Sequence, residues 1–226
     1  MLKVIKKLLN KFLYPNTYSS EAYINYLKSN GAKIGDGTVF TTPKNTIVDS
    51  QKLKFVEIGK DCCIANGVII LAHDWSYSVI ARVYKDAPGK QKVTTIGNNV
   101  FIGMNSIILM GANIGNNVII GAGSIVSGKV ESNSVYAGNP AKKICTLEEH
   151  YEKLKKGFDE SARIFARRFN EIEGRMPRIE EMELYTSLFV DKTNDNINKY
   201  FKDSKIKFAI KEMAKKYDDV NDLFIK

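Results

Sequence analysis

The sequence predicts a mainly β chain wound into a parallel β-helix, and three observations predict it. Nine apolar residues recur six positions apart: Ile58, Ile64 and Ile70, then Ile96, Ile102, Ile108, Ile114, Ile120 and Val126. Glycine or another small residue usually follows (Gly59, Ala65, Gly97, Gly103, Gly115, Gly121, Ser127), and a small or β-branched residue stands four places on (Cys62, Val68, Val100, Ser106, Ala112, Val118, Ser124, Val130). Helical spacing of apolar residues is confined to the two ends of the chain. A period of six fits neither an amphipathic helix nor a simple strand. It suits a prism whose flat faces are each one hexapeptide repeat wide. The apolar residue then points inward, the small residue fits beside it, and the glycine eases the corner.

Taken in order, residues 1–30 read as an N-terminal helical cap. Leu2, Ile5, Leu8, Leu9, Phe12 and Leu13 fall at helical spacing between Met1 and Tyr14, with Lys3, Lys6, Lys7 and Lys11 on the other face. Such a helix covers the apolar end of a solenoid, as terminal caps must; a weak membrane-surface association through residues 1–14 is the alternative. After Pro15 a second helix runs from about Ser20 to Ser29 and stops at Asn30-Gly31.

Residues 31–144 are the β-helix. It opens with Ile34-Gly35-Asp36-Gly37-Thr38, loosens between Phe40 and Val56 around Pro43 and Asn45, and becomes regular at Ile58. Residues 73–95 break the pattern, with Pro88-Gly89 among them, and register resumes at Ile96. An insertion that leaves a solenoid and rejoins it in register is a surface loop, where binding residues concentrate. Residues 145–226 form a charged, helical extension: a long helix over Leu147 to Asn170, a break at Gly174 to Pro177, and further helices over Ile179 to Val190 and about Ile197 to Tyr217.

Composition narrows the class. The hydrophobic content of 44% is ordinary for a soluble protein. No apolar run approaches the length of roughly 18 residues that a membrane span needs, and no signal peptide is legible. The three cysteines are too few and too unevenly placed for a disulfide framework, so a cytoplasmic address is expected. Cys62 takes an inward core position, and Cys63 and Cys145 read as reduced thiols. The net charge of +9 is spread among acidic residues with no nucleic-acid motif, so no nucleic-acid partner is expected.

Ile96-Gly97-Asn98-Asn99-Val100-Phe101-Ile102-Gly103, Ile114-Gly115-Asn116-Asn117-Val118, Ile120-Gly121-Ala122-Gly123-Ser124 and Ala137-Gly138-Asn139-Pro140-Ala141-Lys142 carry a resemblance. Together they resemble the left-handed β-helix, hexapeptide-repeat acyltransferases, over about Ile34 to Ile144. His73-Asp74 at the loop mouth and the helical tail are most similar to the branch that O-acetylates sugars and surface polysaccharides. The resemblance implies the left-handed coil, against the usual right-handed crossover preference. It also implies a homotrimer with active sites between subunits, acetyl-CoA as co-substrate, a saccharide or other hydroxyl acceptor, and no required metal.

A sugar hydroxyl is essentially never ionised near neutral pH, so its acylation needs a base, and an imidazole is the side chain best matched to that task. The chain has two histidines, His73 and His150. His73 matches the family's catalytic histidine and is assigned as general base for direct transfer, with backbone N–H groups of the cleft stabilising the oxyanion. His150 reads as surface. Asp74 could orient His73 or meet the acceptor, Trp75, Tyr77 and Tyr84 could stack on a sugar, and Arg82 and Lys85 could meet an acidic group. For acetyl-CoA the resemblance points to Phe101, Gly103, Ala122 and Ser127 along the later coils, and to Lys142 at the nucleotide phosphates. Phe101 stands where the maltose and galactoside branch often has tryptophan.

Three other readings compete. A xenobiotic (antibiotic) O-acetyltransferase uses the same chemistry on a different hydroxyl. A γ-carbonic anhydrase would need three histidines on zinc, and only two exist here, one outside the repeats. A non-catalytic scaffold would leave His73 and Lys142 without a purpose.

Overall fold

The computed structural model describes residues 9–191, 193 and 215–225, and the chain divides into two compact units, residues 1–151 and 152–226. The first unit is the prism, built from three sheets of very short strands. The first face stacks Lys33–Ile34, Val56–Ile58, Thr94–Ile96, Asn113–Ile114 and Lys129–Val130. The second stacks Val39–Phe40, Cys63–Ile64, Val100–Ile102, Val118–Ile120 and Ser134–Ala137, and the third Ile47–Val48, Ile69–Ile70, Ile107–Ile108 and Ile125–Val126. All these pairings are parallel; a last strand, Lys142–Thr146, folds back antiparallel on Ser134–Ala137.

The six-residue register becomes vertical stacking. Ile34, Ile58, Ile96, Ile114 and Val130 align down the first face, and Val48, Ile70, Ile108 and Val126 down the third. Ile64, Ile70, Ile102, Ile108 and Ile120 are completely buried. Each such side chain removed from water contributes roughly 1.5–3 kcal/mol, repeated coil after coil.

The corners work differently from the sequence reading. Gly59 and Gly97 do not take a positive φ; a Cβ on Gly59 would lie 2.5 Å from the Gly97 carbonyl oxygen, and one on Gly97 2.6 Å from that of Gly115. These glycines let successive coils touch. The turn itself falls two residues later, at the third position after each inward residue, where Gly37, Asp61, Asn99, Asn117 and Asn133 have φ between 54° and 76°. Glycine, asparagine and aspartate are the residues that tolerate that left-handed conformation.

Helix α1, Ser20–Ser29, starts at Ser19, whose hydroxyl accepts the Ala22 N–H at 3.1 Å. It buries Tyr23 and Leu27 in the prism core, Tyr23 meeting Phe40 edge-on and donating from its hydroxyl to the Thr46 carbonyl at 3.0 Å. The end of the solenoid is thus covered by α1. Residues 9–13 are helical, but Leu9, Phe12 and Leu13 are exposed; residues 1–8 lie outside the described residues.

The loose stretch has a cause. A 3-10 turn at Pro43–Asn45 puts eight positions instead of six between the inward residues Phe40 and Val48, and a second at Leu53–Phe55 lengthens the next corner. The insertion leaves at His73 and holds a short helix, α2, Tyr77–Tyr84, and a two-residue antiparallel ladder of His73–Asp74 with Lys90–Gln91. The chain rejoins its sheet at Thr94, two residues before the expected Ile96: its buried hydroxyl donates to the Leu71 carbonyl at 2.6 Å and accepts from Gly111 N–H at 3.0 Å.

Helix α3, Leu147–Glu173, runs three residues beyond its predicted end. In the second unit Ala162, Ala166, Met182, Phe189, Tyr217 and Leu223 form a buried cluster. The helix expected over Ile179 to Val190 is instead two 3-10 turns, Ile179–Glu181 and Glu183–Leu188. Glu183 has φ of 50°, which no right-handed α-helix passes through, and Glu181 is drawn off to Arg175 and Arg178. Of the helix expected over Ile197 to Tyr217, residues 197–214 lie outside the described residues, and 215–217 are not helical.

Candidate active site

The site lies at the end of the third face, where the coil leaves the prism. Ile69–Ile70 stacks on Ile47–Val48, which brings Asp49 beneath Leu71 and Ala72. Asp49 is a buried carboxylate. Its Oδ2 accepts the Ala72 N–H at 2.9 Å and pairs with Nδ1 of His73. Burial pushes the Asp49 carboxyl up, but the hydrogen bonds from His73 and Ala72 outweigh it and hold the group below the usual carboxylate range. An ionised carboxylate only accepts, so Nδ1 of His73 carries a proton, and in the neutral ring the lone pair is then on Nε2.

His73 is itself mostly buried, and its Nε2 has no hydrogen-bond partner among the described residues. An imidazole fixed through one nitrogen by a carboxylate, with the other nitrogen bare, is the arrangement a general base requires. The ring lines a cleft of about 370 Å³ with Gln51, Lys52, Asp74, Trp75, Tyr77 and the Lys90 strand. Trp75 stands edge-on to His73 at 6.1 Å and stacks on Tyr77 at 5.5 Å, so two rings form one wall.

The predicted acceptor-side residues separate into two groups. Asp74, Trp75 and Tyr77 join His73 in the cleft, whereas Arg82, Tyr84 and Lys85 are exposed on and just after α2 and do not line it. The carboxylate that meets His73 is Asp49. Asp74 binds the N–H and hydroxyl of Ser76 at 2.8 and 2.7 Å, and these hold its carboxyl below the ordinary range. Lys52 and Lys90 supply the positive charge in the cleft.

Asp49 escaped the sequence reading because counting in sixes from Ile34 and Phe40 puts Thr46 inward and leaves Asp49 without a register position. The signal was there in Pro43: a proline turn that adds two residues moves Val48 inward and Asp49 to the corner that His73 also leaves.

The residues expected along the later coils are spread over several surfaces. Phe101 is exposed and points outward on the second face beside Cys63 and Ile119. Gly103 is buried, since a Cβ there would lie 2.5 Å from the Ala122 nitrogen; Ala122 above it is exposed. Ser127 is exposed at the third-face corner, and Lys142 is exposed on the antiparallel strand opposite Ala137. Cys62 is buried, and burial raises its thiol, with the Sγ donating to the Gly97 carbonyl at 3.1 Å. It is a core residue with no nucleophilic character. His150 is half-buried in α3. Among the described residues no group of three or more His, Cys, Asp or Glu side chains could hold a metal, and no helix is long and apolar enough to cross a membrane.

Two family patterns match the prism: the bacterial transferase hexapeptide (six repeats) over residues 94–128 and the hexapeptide repeat of succinyl-transferase over residues 56–72. Protein CapG of Staphylococcus aureus is 37% identical over 155 residues, 69% of this chain and 86% of CapG. YvoF of Bacillus subtilis (strain 168), provisionally named an acetyltransferase, is 34% identical over 101 residues, 45% of this chain and 54% of YvoF. The crystal structure of a maltose O-acetyltransferase from Clostridium difficile 630 is 26% identical, with a TM-score of 0.39, over 56% of this chain and 75% of that one. By the extent of its identity to CapG and the repeats these patterns match, the chain belongs to the hexapeptide-repeat acyltransferase family, and its prism is a left-handed parallel β-helix.

Proposed function

We propose that the protein transfers the acetyl group of acetyl-CoA to a hydroxyl of a sugar or surface-polysaccharide precursor. The observation that carries this reading is the Asp49–His73 pair at the cleft, with the far nitrogen of the ring unpartnered. His73 Nε2 takes the proton of the acceptor hydroxyl as the oxygen attacks the acetyl carbonyl, and the buried Asp49 carboxylate stabilises the imidazolium that forms. The tetrahedral intermediate then expels the CoA thiolate, which receives the same proton from His73. No covalent enzyme intermediate is needed.

The stacked Trp75–Tyr77 wall suits the apolar face of a sugar ring, and Asp74 lies near enough to meet its hydroxyls. Nε2 is buried in the single chain, so an acceptor must displace a neighbouring side chain to reach it. In this reading three copies assemble with acetyl-CoA lying in the grooves between them, along the Phe101, Ala122 and Ser127 surfaces with Lys142 at the phosphates. Gly103 then serves by letting the Ala122 main chain close on it.

The test is thiol release from acetyl-CoA over a panel of saccharides, with mass spectrometry reading the added acetyl group. His73→Ala is expected to abolish transfer while leaving CoA binding and subunit assembly unchanged. Turnover close to wild type in that variant would remove His73 from the mechanism, and release with no saccharide but with hydroxylated antibiotics would move the acceptor to the xenobiotic class.

A further inference from the structure

The helical segment before α1 has a polar side that is fastened and an apolar side that is not. Lys44 Nζ, on the first coil, donates to Asn10 Oδ1 at 3.2 Å and stands over the Tyr14 ring at 3.7 Å. Lys11 lies over Tyr18 at 5.7 Å. The Lys44 contacts hold Asn10 and Tyr14 to the prism, and the Lys11 contact folds the segment on itself. On the other side Phe12 is 83% exposed, and Leu9 and Leu13 are each 55% exposed. They cannot cap the solenoid, because α1 already fills that place with Tyr23 and Leu27.

An exposed phenylalanine between two leucines is an apolar patch that a partner can cover. The charge along the same stretch of sequence points to the partner: residues 1–14 hold four lysines, Lys3, Lys6, Lys7 and Lys11, and no carboxylate. In sequence, Leu2, Ile5 and Leu8 continue the apolar series of Leu9, Phe12 and Leu13, and Lys3, Lys6, Lys7 and Lys11 alternate with them. A short apolar strip set in a lysine-rich stretch of sequence matches the boundary of a bilayer, where apolar side chains enter the acyl region and ammonium groups meet anionic headgroups.

We propose that this apolar strip seats the protein on an anionic membrane surface, with Leu9, Phe12 and Leu13 inserted. The inference does not depend on the acyl-transfer reading.

The full-length protein is mixed with vesicles of phosphatidylcholine plus phosphatidylglycerol, or of phosphatidylcholine alone, and bound protein is measured by co-sedimentation. Binding to the anionic vesicles is expected, with loss at about 0.5 M salt as the charges are screened. Phe12→Asp should weaken partition roughly 10- to 100-fold, and each of Lys6→Glu and Lys7→Glu at least about fivefold. Phe12 is so exposed that its variant should fold as the parent does, with an unchanged Tm. Failure of the wild type to bind anionic vesicles, or equal binding to neutral ones, overturns the proposal. So does a change of oligomeric state in Phe12→Asp without lipid, which would assign the strip to a second copy.

Discussion

Asp49→Asn removes a charge while keeping a shape. In the folded chain one oxygen, Oδ2, accepts from both Ala72 N–H and His73 Nδ1–H. An asparagine must place its carbonyl oxygen there, since its NH₂ would face two donors. The tautomer of His73 is therefore preserved, and what disappears is the negative charge beside an imidazolium. A hydrogen bond to a charged group contributes roughly 1.5–3 kcal/mol and a neutral one about 0.5–1.5 kcal/mol. The Asp49 side chain is only 3% exposed, so water screens little of that difference. A loss of about 1–2.5 kcal/mol of transition-state stabilisation corresponds to a fall in kcat of roughly 5- to 70-fold. The assay is thiol release from acetyl-CoA at saturating acceptor, with the KM for acetyl-CoA unchanged. Stability supplies a second readout. Because the folded Asp49 carboxyl is held below its unfolded range, its contribution is present above about pH 4 and is lost as the pH falls through the folded value. The Tm gap between wild type and variant should be open near pH 7 and narrow as the pH falls below about 4. Wild-type kcat in Asp49→Asn, or a Tm gap indifferent to pH, would refute the argument.

Two more outcomes are expected. Gly59→Ala places a methyl group 2.5 Å from the Gly97 carbonyl oxygen, forcing two coils apart; overpacking of that kind costs about 1–3 kcal/mol and should lower Tm by roughly 2–12 °C, read by calorimetry. Lys142→Ala should raise the KM for acetyl-CoA about three- to tenfold with a smaller effect on kcat, and a KM that does not move would deny it a phosphate.

The inward stack was legible because burial imposes the same demand every six residues: an apolar side chain at one position and a small one four places on. Thr94 shows the limit of that legibility. As a polar residue it looked like loop, yet its hydroxyl is satisfied inside the coil by Leu71 and Gly111, a pairing that depends on two other turns. The turn at Glu183 was hidden for a related reason. The apolar spacing of the segment is helical, and only the pull of Arg175 and Arg178 on Glu181 and the positive φ at Glu183 break it.

What the sequence determined by itself was the repeat, the place where it is interrupted and the histidine at that interruption, because each is written in consecutive residues. What only the tertiary structure decided was the partner of that histidine. Asp49 lies 24 residues upstream, and whether it meets His73 depends on how many residues each corner of the prism consumes. A proline turn of two extra residues sets that number. Stacking one coil on the next then brings the carboxylate to the ring, a nearness that depends on coil geometry and so cannot be read from the spacing of the two residues.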